Sequence, residues 1–270
     1  MKIYLIILFS FATVTNSCNN QTKAVLPSME IDSAVLADFK DFWQYWYDSV
    51  QLYKNYEAYD TIGKVLEDTT FISLLRTGNF MPIKVNTSLY TPAYKLIRIP
   101  NGSSTYEIKK TIINEMQRFF ENSQLQGRTL GEKRWLSPDG YELKAENFKG
   151  NYVLIKCWFL KCAKCLEEMP RYDSLFMQYG HKNLIFLALA EDNIDSIQKF
   201  RAKTGYQFHV IPNQSVYVRN DLHVTTFPTY ILVGEDGKIL KVVNTIQAVE
   251  YLIHRIAPKL HEVAPPPALQ

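Results

Sequence analysis

Two cysteines three residues apart, Cys162 and Cys165, follow directly on the hydrophobic run Tyr152-Val-Leu-Ile-Lys-Cys-Trp158 and open a helical pattern that reaches about Tyr179. Thiols at this spacing can join to each other reversibly, so the chemistry they point to is thiol–disulfide exchange. A thiol at the N-terminus of a helix meets unpaired N–H groups and the positive end of the helix dipole, which favour its thiolate, the only form that attacks a disulfide. Cys162 is the expected nucleophile. Cys165 lies on the same helix face one turn deeper and is the expected resolver, displacing the partner from a mixed disulfide on Cys162. Lys161 and Lys164 flank the nucleophile, either lowering its pKa further or standing as solvated side chains.

Other readings of Cys-x-x-Cys are weighed by what surrounds it. Zinc sites commonly add a second pair or histidines, and no second pair exists here. A c-type haem site needs His after the second cysteine, where this chain has Leu166. A Cu(I) site drawing on His209 or His223 stays open as a non-enzymatic alternative, and no resident metal is expected.

The positioning elements belong to a chain of 270 residues, enough for one large or two modest domains. With 47% apolar and 21% charged residues it reads as globular, and a net charge of +3 without a basic cluster argues against nucleic acid as a partner. Residues 1–18 read as an export signal: Lys2 precedes the apolar run Ile3 to Val14, too short for the roughly 20 residues of a membrane span. Its end at Cys18, before Asn19-Asn20-Gln21-Thr22-Lys23, resembles a bacterial lipoprotein signal, with Cys18 as the lipidated residue. Thr15 departs from that pattern, and an ordinary secretory signal with an incidental Cys18 is the alternative. Either way Cys157, Cys162 and Cys165 remain, an odd clustered set that suits a redox or metal site better than a disulfide framework.

Residues 19–30 read as a tether. Over 31–131 a mostly helical region is expected, opened by Asp32 or Ser33 as a cap. The recurrence of Phe39, Phe42, Trp43, Trp46, Tyr47, Val50 and Tyr53 every three or four residues reads as a packing face. Phe71 to Leu75 suggests a short helix, Met81 to Val85 and Tyr94 to Ile99 suggest strands, and Pro82, Pro92 and Pro100 interrupt them. Ser104-Thr-Tyr-Glu107 has the form of a capping box before Ile108, Ile112, Met116, Phe119 and Phe120, and Glu121 to Lys133 reads as a linker. The second half alternates strand and helix. A hairpin turns at Asp139-Gly140, and Val153 to Trp158 is a central strand. Leu184 to Ala190 is an apolar strand, Asn193 caps a helix, and Phe208 to Ile211 is a strand. Thr229 to Val233 pairs with Ile239 to Val243, and Thr245 opens the last helix before the Pro-rich tail, 261–270. The class is α/β with a mixed sheet flanked by helices.

The motif Cys157-Trp158-Phe-Leu-Lys-Cys162-Ala-Lys-Cys165-Leu-Glu-Glu168-Met-Pro170, with Thr226-Phe227-Pro228-Thr229 and Gly234-Glu-Asp-Gly-Lys238 further on, resembles the membrane-anchored TlpA/ResA-like thiol–disulfide oxidoreductases of the thioredoxin superfamily. The likeness covers about residues 132–260. It implies a thioredoxin-like fold there, Trp158 packed beneath the site, a helix kink at Pro170, and a cis-proline at Pro228. Phe227 and Pro228 would then bind substrate with Trp158, and Glu168 would handle the resolver's proton beside the two cysteines. Two residues depart from the pattern. Ala163-Lys164 replaces the familiar Gly-Pro, and Lys156 stands where thioredoxins keep a buried acid. Lys156 is expected to snorkel to the surface and Cys157 to be an inert core thiol.

The reading is an exported, lipid-anchored reductase of partner-protein disulfides in the cell envelope or periplasm. It would be supplied with electrons by a dithiol donor and need no cofactor beyond the Cys162–Cys165 couple. A peroxiredoxin-like thiol peroxidase is the enzymatic alternative, although its Pro-x-x-x-Thr-x-x-Cys motif is missing.

Overall fold

A computed structural model describes residues 34–85, 91–137, 140 and 142–263. The signal segment, Cys18, the tether, the Asp32-Ser33 cap, Asp139 and the Pro-rich tail beyond Val263 lie outside them. The chain enters through α1 (Ala34–Ala37) and α2 (Phe39–Ser49), with Asp38 between them accepting hydrogen bonds from the Lys40 and Asp41 amides to cap α2. Next come β1 (Glu57–Tyr59), α3 (Asp68–Arg76), β2 (Phe80–Lys84), β3 (Ala93–Arg98) and α4 (Tyr106–Leu125). The strands form a sheet in the order β1-β3-β2, β1 parallel and β2 antiparallel to β3. Pro82 sits inside β2 without breaking it, because an edge strand has one side on which a missing N–H costs no ladder bond. Phe42, Trp46, Phe71, Leu75, Tyr94, Ile108 and Ile112 fill the core of this region.

Three expectations for this region are corrected. The aromatic stripe is only partly a packing face: Phe42 and Trp46 are buried, but Phe39 and Trp43 stay 43% and 41% exposed. Five large residues within the helix span more of its circumference than one contact face covers, and Val50 and Tyr53 lie beyond its end. The Ser104-Thr-Tyr-Glu107 capping box does not close. The helix starts at Tyr106, and the Thr105 hydroxyl donates instead to the Pro100 and Gly102 carbonyls, at 2.7 and 3.2 Å. Finally, α4 continues through the expected start of the linker, and beyond it Gly127 N–H donates to Ile239 O while Ile239 N–H donates to Arg128 O, both at 2.8 Å.

The remaining chain gives β4 (Arg134–Leu136) and β5 (Glu142–Lys144), then β6 (Tyr152–Trp158), α5 (Ala163–Glu167), α6 (Met169–Tyr179), β7 (Leu184–Ala190) and α7 (Ile194–Thr204). It closes with β8 (His209–Ile211), β9 (Thr229–Val233), β10 (Ile239–Val243) and α8 (Ile246–Ile256). The second sheet runs β10-β9-β6-β7-β8. The strand β6 is central, parallel to β7 and antiparallel to β9, and β10 closes a hairpin with β9. This is the mixed, thioredoxin-like sheet the motif implies. Local signals set its helices: the Asn193 side chain accepts from Ser196 N–H at 2.9 Å to start α7, which ends at Gly205 with φ +71°, and Thr245 caps α8. The strand alternation of β6 sends Leu154 and Trp158 into one apolar layer with α6, α7 and α8, and Val153, Ile155 and Cys157 into another with Trp135, Leu143, Phe148 and Tyr217. Among the described residues no helix is long and apolar enough to cross a membrane.

Candidate active site

At its C-terminal end β6 passes through a tight loop, held by Leu160 N–H donating to Asp192 Oδ2 at 2.7 Å and by Cys162 N–H donating to Phe159 O at 3.1 Å. The loop delivers Cys162 to the N-cap of α5, with its Sγ accepting from the Cys165 amide at 3.1 Å. The two sulfurs are joined, with Cα atoms 5.2 Å apart, so the chain is in its oxidised state. Cys162 keeps 8% of its surface and Cys165 none, so Cys162 is the less buried of the two. The break between α5 and α6 falls at Glu168, and Pro170, with no N–H to give, lies in the first turn of α6.

Beneath α5 lies a buried ionisable group. Lys156 is fully enclosed: its Nζ donates to Cys165 O at 3.1 Å and stands 5.1 and 5.6 Å from the ring centres of Tyr172 and Tyr230. The expected snorkelling does not occur, because a residue in the middle of a central strand under two helices has no path to water, and the carbonyl and the two rings take the place of solvent. Burial pulls its pKa down to about 7, with Glu168 opposing. Glu168 is buried too, unlike its exposed neighbour Glu167; its Oε2 accepts from the Tyr230 hydroxyl at 2.8 Å, and Lys164 Nζ stands 3.9 Å from Oε1. Burial raises its carboxyl pKa, while the Tyr230 hydroxyl, the Ile246 amide, Lys164 and Lys156 hold it back.

The second wall is the loop before β9. The Phe227-Pro228 peptide is cis, and the Phe227 ring meets Phe159 edge-on at 5.3 Å while packing against the apolar cluster that contains both cysteines. Arg219 lies over that ring, 5.1 Å from its centre.

Comparison with known proteins agrees with this geometry. The profile of the AhpC/TSA family matches residues 129–242. ResA, a thiol-disulfide oxidoreductase of Bacillus thuringiensis, is 27% identical over 115 residues, 42% of this chain and 66% of its own length. ResA of Halalkalibacterium halodurans is 26% identical over 125 residues, 45% of this chain and 71% of its own. Over this region the chain is TlpA/ResA-like, with a thioredoxin-like sheet carrying the Cys162–Cys165 pair. It spans about two thirds of the length of the curated relatives it matches. Among solved structures, the thioredoxin domain of a Bacteroides vulgatus thiol-disulfide oxidoreductase is 21% identical and covers 48% of this chain and 96% of that one, with a TM-score of 0.44.

In this TlpA/ResA-like frame Cys162, Cys165, Glu168, Phe227 and Pro228 gather at one end of the sheet. Trp158 is wholly buried with its ring 5.4 Å from Phe200, in the apolar cluster that contains both cysteines. Cys157, on the opposite face, is wholly buried, and burial pushes its thiol pKa far above the ordinary range. Sequence reasoning missed Tyr230 and Asp192. One follows the Phe-Pro-Thr motif and the other the apolar strand β7, but only the fold brings them to Glu168 and to the cysteine loop.

Proposed function

We propose that the protein is an extracytoplasmic thiol–disulfide oxidoreductase that reduces disulfides in partner proteins. Its redox domain spans 132–260, and a lipid anchor at Cys18 holds it to the membrane. Cys162, as thiolate, attacks one sulfur of the partner disulfide, forming a mixed disulfide and expelling the partner's other sulfur as thiolate, which takes a proton. The Cys165 thiol then gives up its proton, with Glu168 as the acceptor, and its sulfur attacks Cys162 Sγ. The partner leaves as a dithiol, and Cys162 and Cys165 are left joined. Two electrons pass to the partner, and a separate dithiol protein restores them by the reverse exchange. Phe227 and Pro228 hold the partner's backbone beside the reacting sulfur.

The observation that carries this reading is the Cys162–Cys165 disulfide at a helix N-cap, with Cys162 the less buried of the two cysteines. Insulin-disulfide reduction tests it: Cys162→Ser is expected to lose at least about 100-fold, as removal of an attacking group does, and full activity in that variant removes the assignment. The direction is read from the reduction potential of the couple. A value nearer thioredoxin's, about −270 mV, supports reduction, and one nearer that of DsbA, about −120 mV, overturns it.

The AhpC/TSA match favours a second reading as a thiol peroxidase. Consumption of hydrogen peroxide that depends on Cys162 and exceeds disulfide exchange would put that reading first.

A further inference from the structure

Resting on that reading, we propose that the cleft between the N-terminal helices and the Phe227-Pro228 loop receives an extended, uncharged segment of the partner protein next to its disulfide. Trp43 and Tyr47 of α2 form the wall that selects it. The cleft has a volume of about 780 Å³, within the range of roughly 300 to 1,000 Å³ typical of ligand pockets. It is built by two regions of the chain: Trp43, Tyr47 and Phe119 come from α2 and α4, and Phe227 and Pro228 from the loop before β9.

The two walls are tied together by polar side chains. The Tyr47 hydroxyl hydrogen-bonds the Gln247 side chain at the start of α8. Asn122 of α4 donates to Asn244 Oδ1 at 2.7 Å, and Asn244 Nδ2 in turn donates to the Pro228 carbonyl at 3.2 Å and to Thr229 Oγ1 at 2.8 Å. One residue thus connects α4 to the cis-proline. The N-terminal region is part of the same surface as the redox loop.

Continuity decides what enters. Phe227 packs on the cluster that holds both cysteines, and Lys164 of the cleft stands two residues beyond Cys162, with its Nζ 4.7 Å from the Tyr47 ring centre. A polypeptide whose cysteine is bonded to Cys162 must run along one side of this loop, and the cleft, lined by Lys164, Phe227 and Pro228, offers it a concave path.

Charge narrows the class further. Asp48, Glu115 and Glu167 face Arg118, Lys164 and Lys241, three carboxylates against three cations, and Arg118 pairs with Glu115 as Lys164 does with Glu167. Such a lining has no net charge with which to attract a strongly ionic ligand. What it offers is aromatic surface, with Trp43 still 41% exposed after the N-terminal core has closed. Large aromatic side chains left open at the rim of a cleft are the groups that anchor protein partners.

The test uses the full chain in its reduced form and short peptides whose central cysteine carries 2-nitro-5-thiobenzoate, released as a coloured thiolate when Cys162 attacks. One peptide flanks the cysteine with Leu and Phe, the other with Asp on both sides. The Leu/Phe peptide is expected to react about tenfold faster, the scale of one buried aromatic contact. Trp43→Ala is expected to bring the ratio of the two rates to within about twofold, whereas Trp43→Phe keeps most of it. Asn122→Ala, which cuts the bridge to the Pro228 loop without touching an aromatic residue, is expected to lower the same ratio. Equal rates for both peptides in the unmodified protein overturn the proposal, as does a preference that survives Trp43→Ala or a faster reaction with oxidised glutathione than with the Leu/Phe peptide. Release that is as fast in Cys162→Ser as in the unmodified protein overturns the oxidoreductase reading itself, a result distinct from release without preference.

Discussion

On the face of the central sheet that looks toward α6 and α8, β6 places Leu154, Lys156 and Trp158; on the opposite face it places Val153, Ile155 and Cys157. Both faces are dry and both carry a titratable side chain on the same strand, one residue apart. Their surroundings differ. Lys156 meets the Cys165 carbonyl, two tyrosine rings and the field of Glu168, whereas Cys157 lies in an apolar layer, with burial as the main influence on its thiol. The comparison teaches that burial silences a thiol when the nearest charge is another negative one, Glu191, whereas for Lys156 the nearby carboxylate of Glu168 opposes the effect of burial. The active-site face holds charge where the other face holds only volume.

Breaking the charged face should have the largest effect. Lys156→Met leaves the buried Cys165 carbonyl without its donor and Glu168 without a nearby cation, at an expected cost of about 1 to 3 kcal/mol. Urea unfolding of Lys156→Met, Glu168→Gln and the double variant measures this. The double variant is expected to lose less than the sum of the two single losses, and strict additivity would show that the two side chains do not interact.

The quiet face responds differently. Cys157→Ser puts a hydroxyl into a layer of Leu, Ile and Val, at an expected cost of about 1 to 3 kcal/mol. Disulfide exchange should stay within about twofold of the parent, since this face touches neither sulfur of the couple. A large fall in exchange with unchanged stability would mean that Cys157 takes part in the chemistry.

The contrast can also be sharpened through pH. Lys156 is held at about 7 in the fold against 10.5 ordinarily. Between those values the unfolded chain carries a proton that the folded chain has released, so this residue adds stability as pH rises from 7 toward 10.5, and below 7 its burial cost stands in full. Glu168 works in the opposite sense: raised above 4.5, it keeps a proton in the fold that the unfolded chain loses, so its share of stability is full below 4.5 and falls as pH climbs beyond it. The stability of the parent relative to Lys156→Met should therefore increase between pH 7 and pH 10. A difference that is flat across that interval would remove the shifted lysine from the account.

Much of this was legible in the sequence where the cause is local. Asn193 and Thr245 cap the helices expected of them, because a short polar side chain satisfies an amide three residues away. The Pro170 break and the β9–β10 hairpin through Gly237, with φ +77°, are likewise written in single residues. The pair Cys162 and Cys165 could be placed because spacing and a helix start suffice. What was not legible depends on partners far along the chain. Glu168 and Glu167 look alike until Tyr230, 62 residues away, takes a hydrogen bond to one of them. Lys156 reads as a snorkelling side chain until α6 and β9 close over it. Trp43 reads as core until Phe42 and Trp46 have occupied the single face that α2 can bury.

A side chain in a strand changes face with every step, so sliding β6 by one residue against β7 and β9 would exchange its two occupants. The ammonium would then sit among aliphatic groups with no carbonyl to meet, and the thiol would fill the space under α5. Each outcome is unfavourable, so this neighbouring pair locks the strand in its alignment, as a key with one notch fits its lock in a single orientation.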